Sequence, residues 1–187
     1  MEQGDAGKIT EKARASIEHA KGLVTESIAE TMDLYGVTGS VGNLFGTMYF
    51  ENDMTLDEMR EKLGMSKPSM STGVRRLQEL DIVKKTFIKG SRKHTYVAEK
   101  DFFHFFANFF THKWEREVKL NLEAIEQAQE EIKNVLIMKE LGEDLQAEAR
   151  DLYHQLEDSK PYYAWLHKLV ESIRSGKIYE FIPKEEK

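Results

Sequence analysis

The stretch LGMSKPSMSTGVRRLQELDIV, residues 63–83, decides how this chain is read. Gly64 suits the left-handed turn that ends a helix. Ser66 can cap the next helix, and Pro68 is tolerated in a first turn whose amides lack internal partners. Met70, Val74 and Leu77 recur at helical spacing and predict a buried stripe. The opposite side carries Ser69, Thr72, Arg75, Arg76 and Glu79. Small hydroxyl residues followed by paired arginines suit a partner with hydrogen-bonding edges and negative charge.

Upstream, TLDEMREKLG (55–64) predicts a short helix. Thr55 and Glu58 form a capping box, and Leu56, Met59 and Leu63 share one face. Downstream, VKKTFIKGSRKHTYVAEK (83–100) alternates and predicts two strands, roughly 83–88 and 94–99, around the basic turn KGSRK. Helix, three-residue turn, helix and hairpin make the winged helix-turn-helix plan. A recognition helix must enter a major groove about 12 Å wide, so its leading face should be small and hydrogen-bonding. Ser69, Ser71 and Thr72 meet that demand, with Arg75 and Arg76 one turn further on for guanines or phosphates. Ser66 and Lys67 are placed to hold a backbone phosphate. The hairpin tip, with Lys89, Ser91, Arg92 and Lys93, would follow a flanking minor groove or phosphate row. Each part alone has a plainer explanation, an amphipathic surface helix or a lysine-guarded strand edge. Order and spacing together favour double-stranded DNA. The alternative is a winged helix acting as a protein-interaction adaptor.

Charge supports the DNA reading. The 187 residues carry a formal charge of -6, yet residues 66–93 hold eight basic residues and two acids. A cationic patch on an acidic body directs a polyanion to one surface and repels it elsewhere. That patch is more than an adaptor needs. The composition, 40% hydrophobic and 32% charged, is that of a folded domain. Cysteine is absent, which excludes disulfides and thiolate metal sites and fits a reducing cytoplasm. Residues 1–22 are polar and no apolar run has membrane length, so neither an export signal nor a membrane partner is expected. GSVGNLFG (39–46) follows no strand and reads as helix-packing glycines rather than a nucleotide loop. His104 and His112 lie more than two turns apart on one predicted helix, short of metal-site spacing. No enzyme motif, cofactor or metal is implied.

The expected fold is mainly α with a small β-wing, a winged helix-turn-helix flanked by N- and C-terminal dimerisation helices. Its divisions are 1–36, an N-terminal helix; 37–100, the DNA-binding module; and 101–187, a helical region for dimerisation and possible ligand sensing. The first helix should run over 10–34, with Gly36 and Gly39 breaking it and Ser40 capping a second. Asn52-Asp53 reads as a loop. Asp101 should cap a long helix reaching about Leu136. A further helix is expected over 143–156, and a last one starting at Pro161 and ending near Ser175-Gly176. From Trp114, residues Val118, Leu122, Ile125, Ile132 and Val135 trace a seam for which Leu145, Leu152 and Leu156 offer a mate, within the chain or between two copies.

MYFENDMTLDEMREKLGMSKPSMSTGVRRL (48–77) with its KGSRK hairpin resembles the MarR-like repressors, and more closely their GbsR branch. DLYGVTGSVGNLFGTMYF (33–50) and YYAWLHKLVESI (162–173) with FIPK (181–184) extend the likeness over nearly the whole chain. That branch is known for controlling glycine betaine synthesis and choline or betaine uptake. The resemblance implies a homodimeric repressor at an inverted-repeat operator, responsive to a small osmoprotectant-related molecule. Six phenylalanines in residues 102–110 then have two readings, ordinary core packing or part of an aromatic enclosure for a quaternary ammonium. Ring faces attract such cations by roughly 0.5–2 kcal/mol each. Candidate walls are Tyr49, Phe102, Phe106, Trp114, Tyr162, Tyr163 and Trp165.

Overall fold

A computed structural model describes residues 2–87 and 93–185. The expectations placed on Ile88, Lys89, Ser91 and Arg92 lie outside the described residues. Two units divide the chain, Met1–Phe105 and Phe106–Lys187.

A close helix crossing sets the first unit. Helix α1 (Glu2–Leu34) ends before Gly36, whose φ of 75° turns the chain, and α2 (Gly39–Phe50) returns against it. A Cβ on Gly42 would stand 2.7 Å from Ala29 Cα, and one on Gly46 would stand 2.8 Å from Thr25 Cγ2. Only glycine allows this approach, so GSVGNLFG does pack helices. Gly39, however, opens α2 instead of breaking α1. Ser40 is not the cap: that place belongs to Thr38, which makes no side-chain capping bond. Helix α1 also begins earlier than expected, because the polar residues ahead of Thr10 include good helix formers that need no buried stripe.

Helix α3 (Leu56–Leu63) starts with the Thr55–Glu58 capping box and stops at Gly64, φ 63°. Three residues later α4 (Lys67–Glu79) starts from Ser66, whose hydroxyl accepts from the Ser69 amide. Met70, Val74 and Leu77 are buried as their spacing predicts. Gly73 lets α4 settle on α2, where a Cβ would meet Leu44 Cδ2 at 3.1 Å. Around this contact lies a core rich in thioethers: Met32, Met48, Met59 and Met70 are fully enclosed with Leu44, Phe45, Leu80 and Ile82.

The wing pairs β1 (Val83–Phe87) antiparallel with β2 (His94–Ala98), from Val83 opposite Ala98 to Phe87 opposite His94. Asp81, at φ 55°, makes the bend from α4 into β1. The segment read as a plain loop does more than connect. Met54 exchanges two backbone bonds with Tyr96 on the other edge of β2, at 3.0 and 2.8 Å. The Thr86 hydroxyl donates to Asp53 at 3.0 Å and lies 2.8 Å from the Thr95 hydroxyl. The wing is therefore fixed to the segment that precedes α3.

Helix α5 (Phe102–Leu136) is capped by Asp101, which accepts from the amides of Phe103 and His104. In the second unit it is followed by α6 (Glu143–Arg174) and the single turn α7 (Ile178–Phe181). Gln129 donates to Glu157 at 2.6 Å, and the Arg174 guanidinium binds Glu115 through both oxygens. These links join near and far ends in reverse order, which defines an antiparallel helical hairpin. Val118 and Ile125 of α5 and Ala149, Leu166 and Val170 of α6 are buried within the chain. Leu145 and Leu152 stay exposed, so neither supplies the mate inside the hairpin.

The expected break at Pro161 does not occur, since α6 runs through it. An internal proline forfeits one backbone bond and costs about 3 kcal/mol. Apolar burial on both sides of it, and anchoring of the preceding turn by Glu157 to Lys160 and Gln129, offset that cost.

Gly46→Ala should destabilise the protein by about 1–3 kcal/mol through overpacking. Gly22→Ala, where a Cβ meets nothing within 4 Å, should instead stabilise α1 by up to about 1 kcal/mol. Urea denaturation of the two variants checks the opposite signs.

Candidate nucleic-acid interface

Burial of Met70, Val74 and Leu77 fixes the rotation of α4 and so decides what its other side presents. Lys67, Ser69, Thr72 and Arg75 are exposed, and Ser71 and Arg76 are half-buried. Ser69, Thr72 and Arg75 follow one another at intervals of three, on one line along the helix. Arg76 is held by Glu79 at 3.1 Å, leaving Arg75 as the more open guanidinium. The Ser66 and Ser69 hydroxyls lie 2.9 Å apart at the helix start, where amides point outward. Small donors come first and a cation follows one turn on, as reading base edges requires.

The wing adds exposed Lys84, Lys85 and Lys93. Lys93 also acts on the base of α3: with the Thr55 amide and hydroxyl as the main causes, its charge helps hold the Glu58 carboxyl below the usual carboxylate range. Three of the expected contacts, Lys89, Ser91 and Arg92, are outside the described residues. Sequence reasoning missed Phe87, which is 70% exposed at the end of β1. Its ring meets His94 edge-on at 5.1 Å, with the Lys85 ammonium 5.8 Å from its centre. Period-two alternation from Lys85 was the signal that could have found it.

The aromatic residues proposed as ligand walls fall into three groups. Tyr49 and Phe102 adjoin in the first unit, their ring centres 5.1 Å apart. In the second unit, Phe106 and Trp114 flank Phe110 along α5, at 5.3 and 5.4 Å. Tyr162, Tyr163 and Trp165 cluster on α6, with Tyr162 and Trp165 stacked at 29° and both at least half exposed. Glu117, also missed from sequence, accepts from the Tyr162 hydroxyl at 3.3 Å. Desolvation first, and the Glu117 charge second, push the Tyr162 hydroxyl above its ordinary pKa. Within the phenylalanine run, Phe109 is fully buried whereas Phe102 and Phe103 are nearly half exposed, so core packing explains only part of it.

A helix-turn-helix with a cationic two-stranded wing, followed in the chain by a helical hairpin, defines a winged-helix transcriptional regulator. The chain is 63% identical over 173 residues to the HTH-type transcriptional repressor GbsR of Bacillus subtilis, covering 92% of this chain and 96% of that one. It belongs to the GbsR family of transcriptional regulators. Residues 102–180 match the pattern described as the C-terminal helical hairpin of that family. The HTH-type transcriptional repressor OpcR of the same organism is 33% identical over 90% of this chain and 91% of its own. A solved crystal structure of a transcriptional regulator superposes with a TM-score of 0.50 at 14% identity, covering 81% of this chain and 99% of that one, and supports the fold. The chain is thus a DNA-binding transcriptional repressor and not an enzyme. Among the described residues no helix is long and apolar enough to cross a membrane.

Because the folded Glu58 pKa lies below the unfolded one, its contribution to stability is present above about pH 4.3 and is lost as pH falls through the folded value. Glu58→Gln should therefore flatten the acid-side fall in melting temperature, measured by circular dichroism from neutral to strongly acidic buffer.

Proposed function

We propose that this chain is a cytoplasmic homodimeric repressor of choline or glycine betaine uptake or synthesis genes, released from an inverted-repeat operator by a small quaternary ammonium. The observation that carries the DNA-reading part is the exposed line of Ser69, Thr72 and Arg75 on α4, in the same unit as the exposed lysines of the wing. Ser66, Lys67, Ser71 and Arg76 complete the reading helix, and Lys89, Ser91, Arg92 and Lys93 supply phosphate contacts. The adaptor alternative has no observation in its favour and would show no salt-dependent affinity for duplex DNA.

Two copies reading sites one helical turn apart, about 34 Å, would explain specificity beyond one module. Helix α1 supports pairing. Residues 7–20 are exposed throughout, and Ile9 and Ile17 continue into exposed Leu23 and Val24 along one apolar side. The osmoprotectant assignment rests on the family. For the ligand, the α6 group has the most suitable chemistry: Tyr162 and Trp165 are at least half exposed, and Glu117 beside Tyr162 offers a negative charge. Such a ligand lifts repression only by binding the DNA-free form more tightly than the bound one.

Arg75→Ala should cost about 1–3 kcal/mol on the operator and little on random duplex, whereas Lys93→Ala should weaken both alike and lower the salt slope by about one. Titrations by fluorescence anisotropy over a salt series separate the two. Footprinting on the promoter beside the chain's own gene tests the whole reading. A protected palindrome should clear with choline or glycine betaine, and Trp165→Ala should abolish the clearing while leaving protection intact. Protection indifferent to both ligands would reject this ligand class.

A further inference from the structure

We infer that Phe87 is a DNA-contacting residue of the wing, its ring packing on the deoxyribose edge of a backbone whose phosphates the neighbouring lysines neutralise. The inference rests on the DNA-binding reading above. Residues 83–98 contain five lysines and arginines and no acid, which suits a polyanionic partner. Within that cationic hairpin Phe87 is an apolar exception, 70% exposed on the outer strand of the wing. An exposed ring on a strand edge invites aggregation, and lysines alone already guard such an edge, so protecting it does not explain the ring. The ring is also aimed. His94 lies opposite it in the register and meets it edge-on at 5.1 Å. Lys85, two residues back on the same face, holds its ammonium 5.8 Å from the ring centre. When that ammonium meets a phosphate, the ring lies beside the adjoining sugar. Sugars are the apolar part of a nucleic-acid backbone and are the same at every base step. Supported by His94 at a strand end, Phe87 is placed to cover a sugar and not to wedge between bases.

This contact differs from a phosphate contact in a measurable way. Phosphate contacts release counterions and set the salt slope; an apolar contact does not. With the full-length protein and a labelled duplex of mixed sequence, Phe87→Ala should weaken binding about tenfold at every salt concentration and leave the slope unchanged. Phe87→Leu should restore most of the affinity, and Lys85→Ala should lower the slope by about one. The loss should be equal on DNA from the chain's own promoter, because a sugar carries no sequence. The melting temperature should not change. If Phe87→Ala melts early, Phe87→Thr, which keeps strand propensity but removes the ring, carries the same comparison. Unchanged affinity of Phe87→Ala, or a loss accompanied by a smaller slope, overturns the inference while leaving DNA binding intact. Unchanged duplex binding with lost binding to polyglutamate assigns the ring to an acidic protein instead. If the unaltered protein shows no salt-dependent affinity for duplex, the DNA reading itself falls and this inference with it.

Discussion

What α4 presents to a partner depends on how the helix lies against α2. Met70, Val74 and Leu77 are buried, and Gly73 lets the two helices approach to where Leu44 would touch a Cβ. One residue of helix corresponds to a rotation of about 100°. Turning α4 by that amount would put Thr72 where Gly73 is and drive a β-branched side chain into Leu44. Packing therefore holds Ser69, Thr72 and Arg75 outward with little freedom. What α4 exposes is settled by sterics in the interior.

The wing is held by a different kind of interaction. Its exposed positions are cationic, but its strands are tied by hydrogen bonds, the backbone pair Met54–Tyr96 and the Thr86 hydroxyl with the Asp53 carboxylate and the Thr95 hydroxyl. Short-range directional bonds hold the hairpin in place, and Lys84 and Lys85 stay exposed on it. The acidity of the remaining sequence sharpens this division, since a polyanion is attracted to the basic segment and repelled by the rest.

Local signals were legible in the sequence and pairings between distant segments were not. The Thr55–Glu58 box, Gly64, Ser66 and Asp101 act within one turn of chain, and each stands where composition placed it. The buried stripe of α4 follows from periodicity alone. Met54 pairing with Tyr96 needs knowledge of a third segment, which no window contains. Pro161 misled because its rule describes an isolated helix, whereas burial on both sides of it belongs to the tertiary structure. Of the candidate site, the exposed line of α4 and the exposed Lys84, Lys85 and Lys93 of the wing were readable. Phe87 was missed although alternation from Lys85 marks its face, and Glu117 is identified only by its distance from Tyr162.

The sulfur-rich interior of the first unit has its own consequence. Met32, Met48, Met59 and Met70 have unbranched side chains with several rotatable bonds and a soft, polarizable atom near the tip, so they can change rotamer without opening a void. A bed of valine or isoleucine, with fewer rotamers, would seat α4 more rigidly than thioethers do. Helix α4 can thus settle by small shifts while its rotational setting, fixed by Gly73, stays the same.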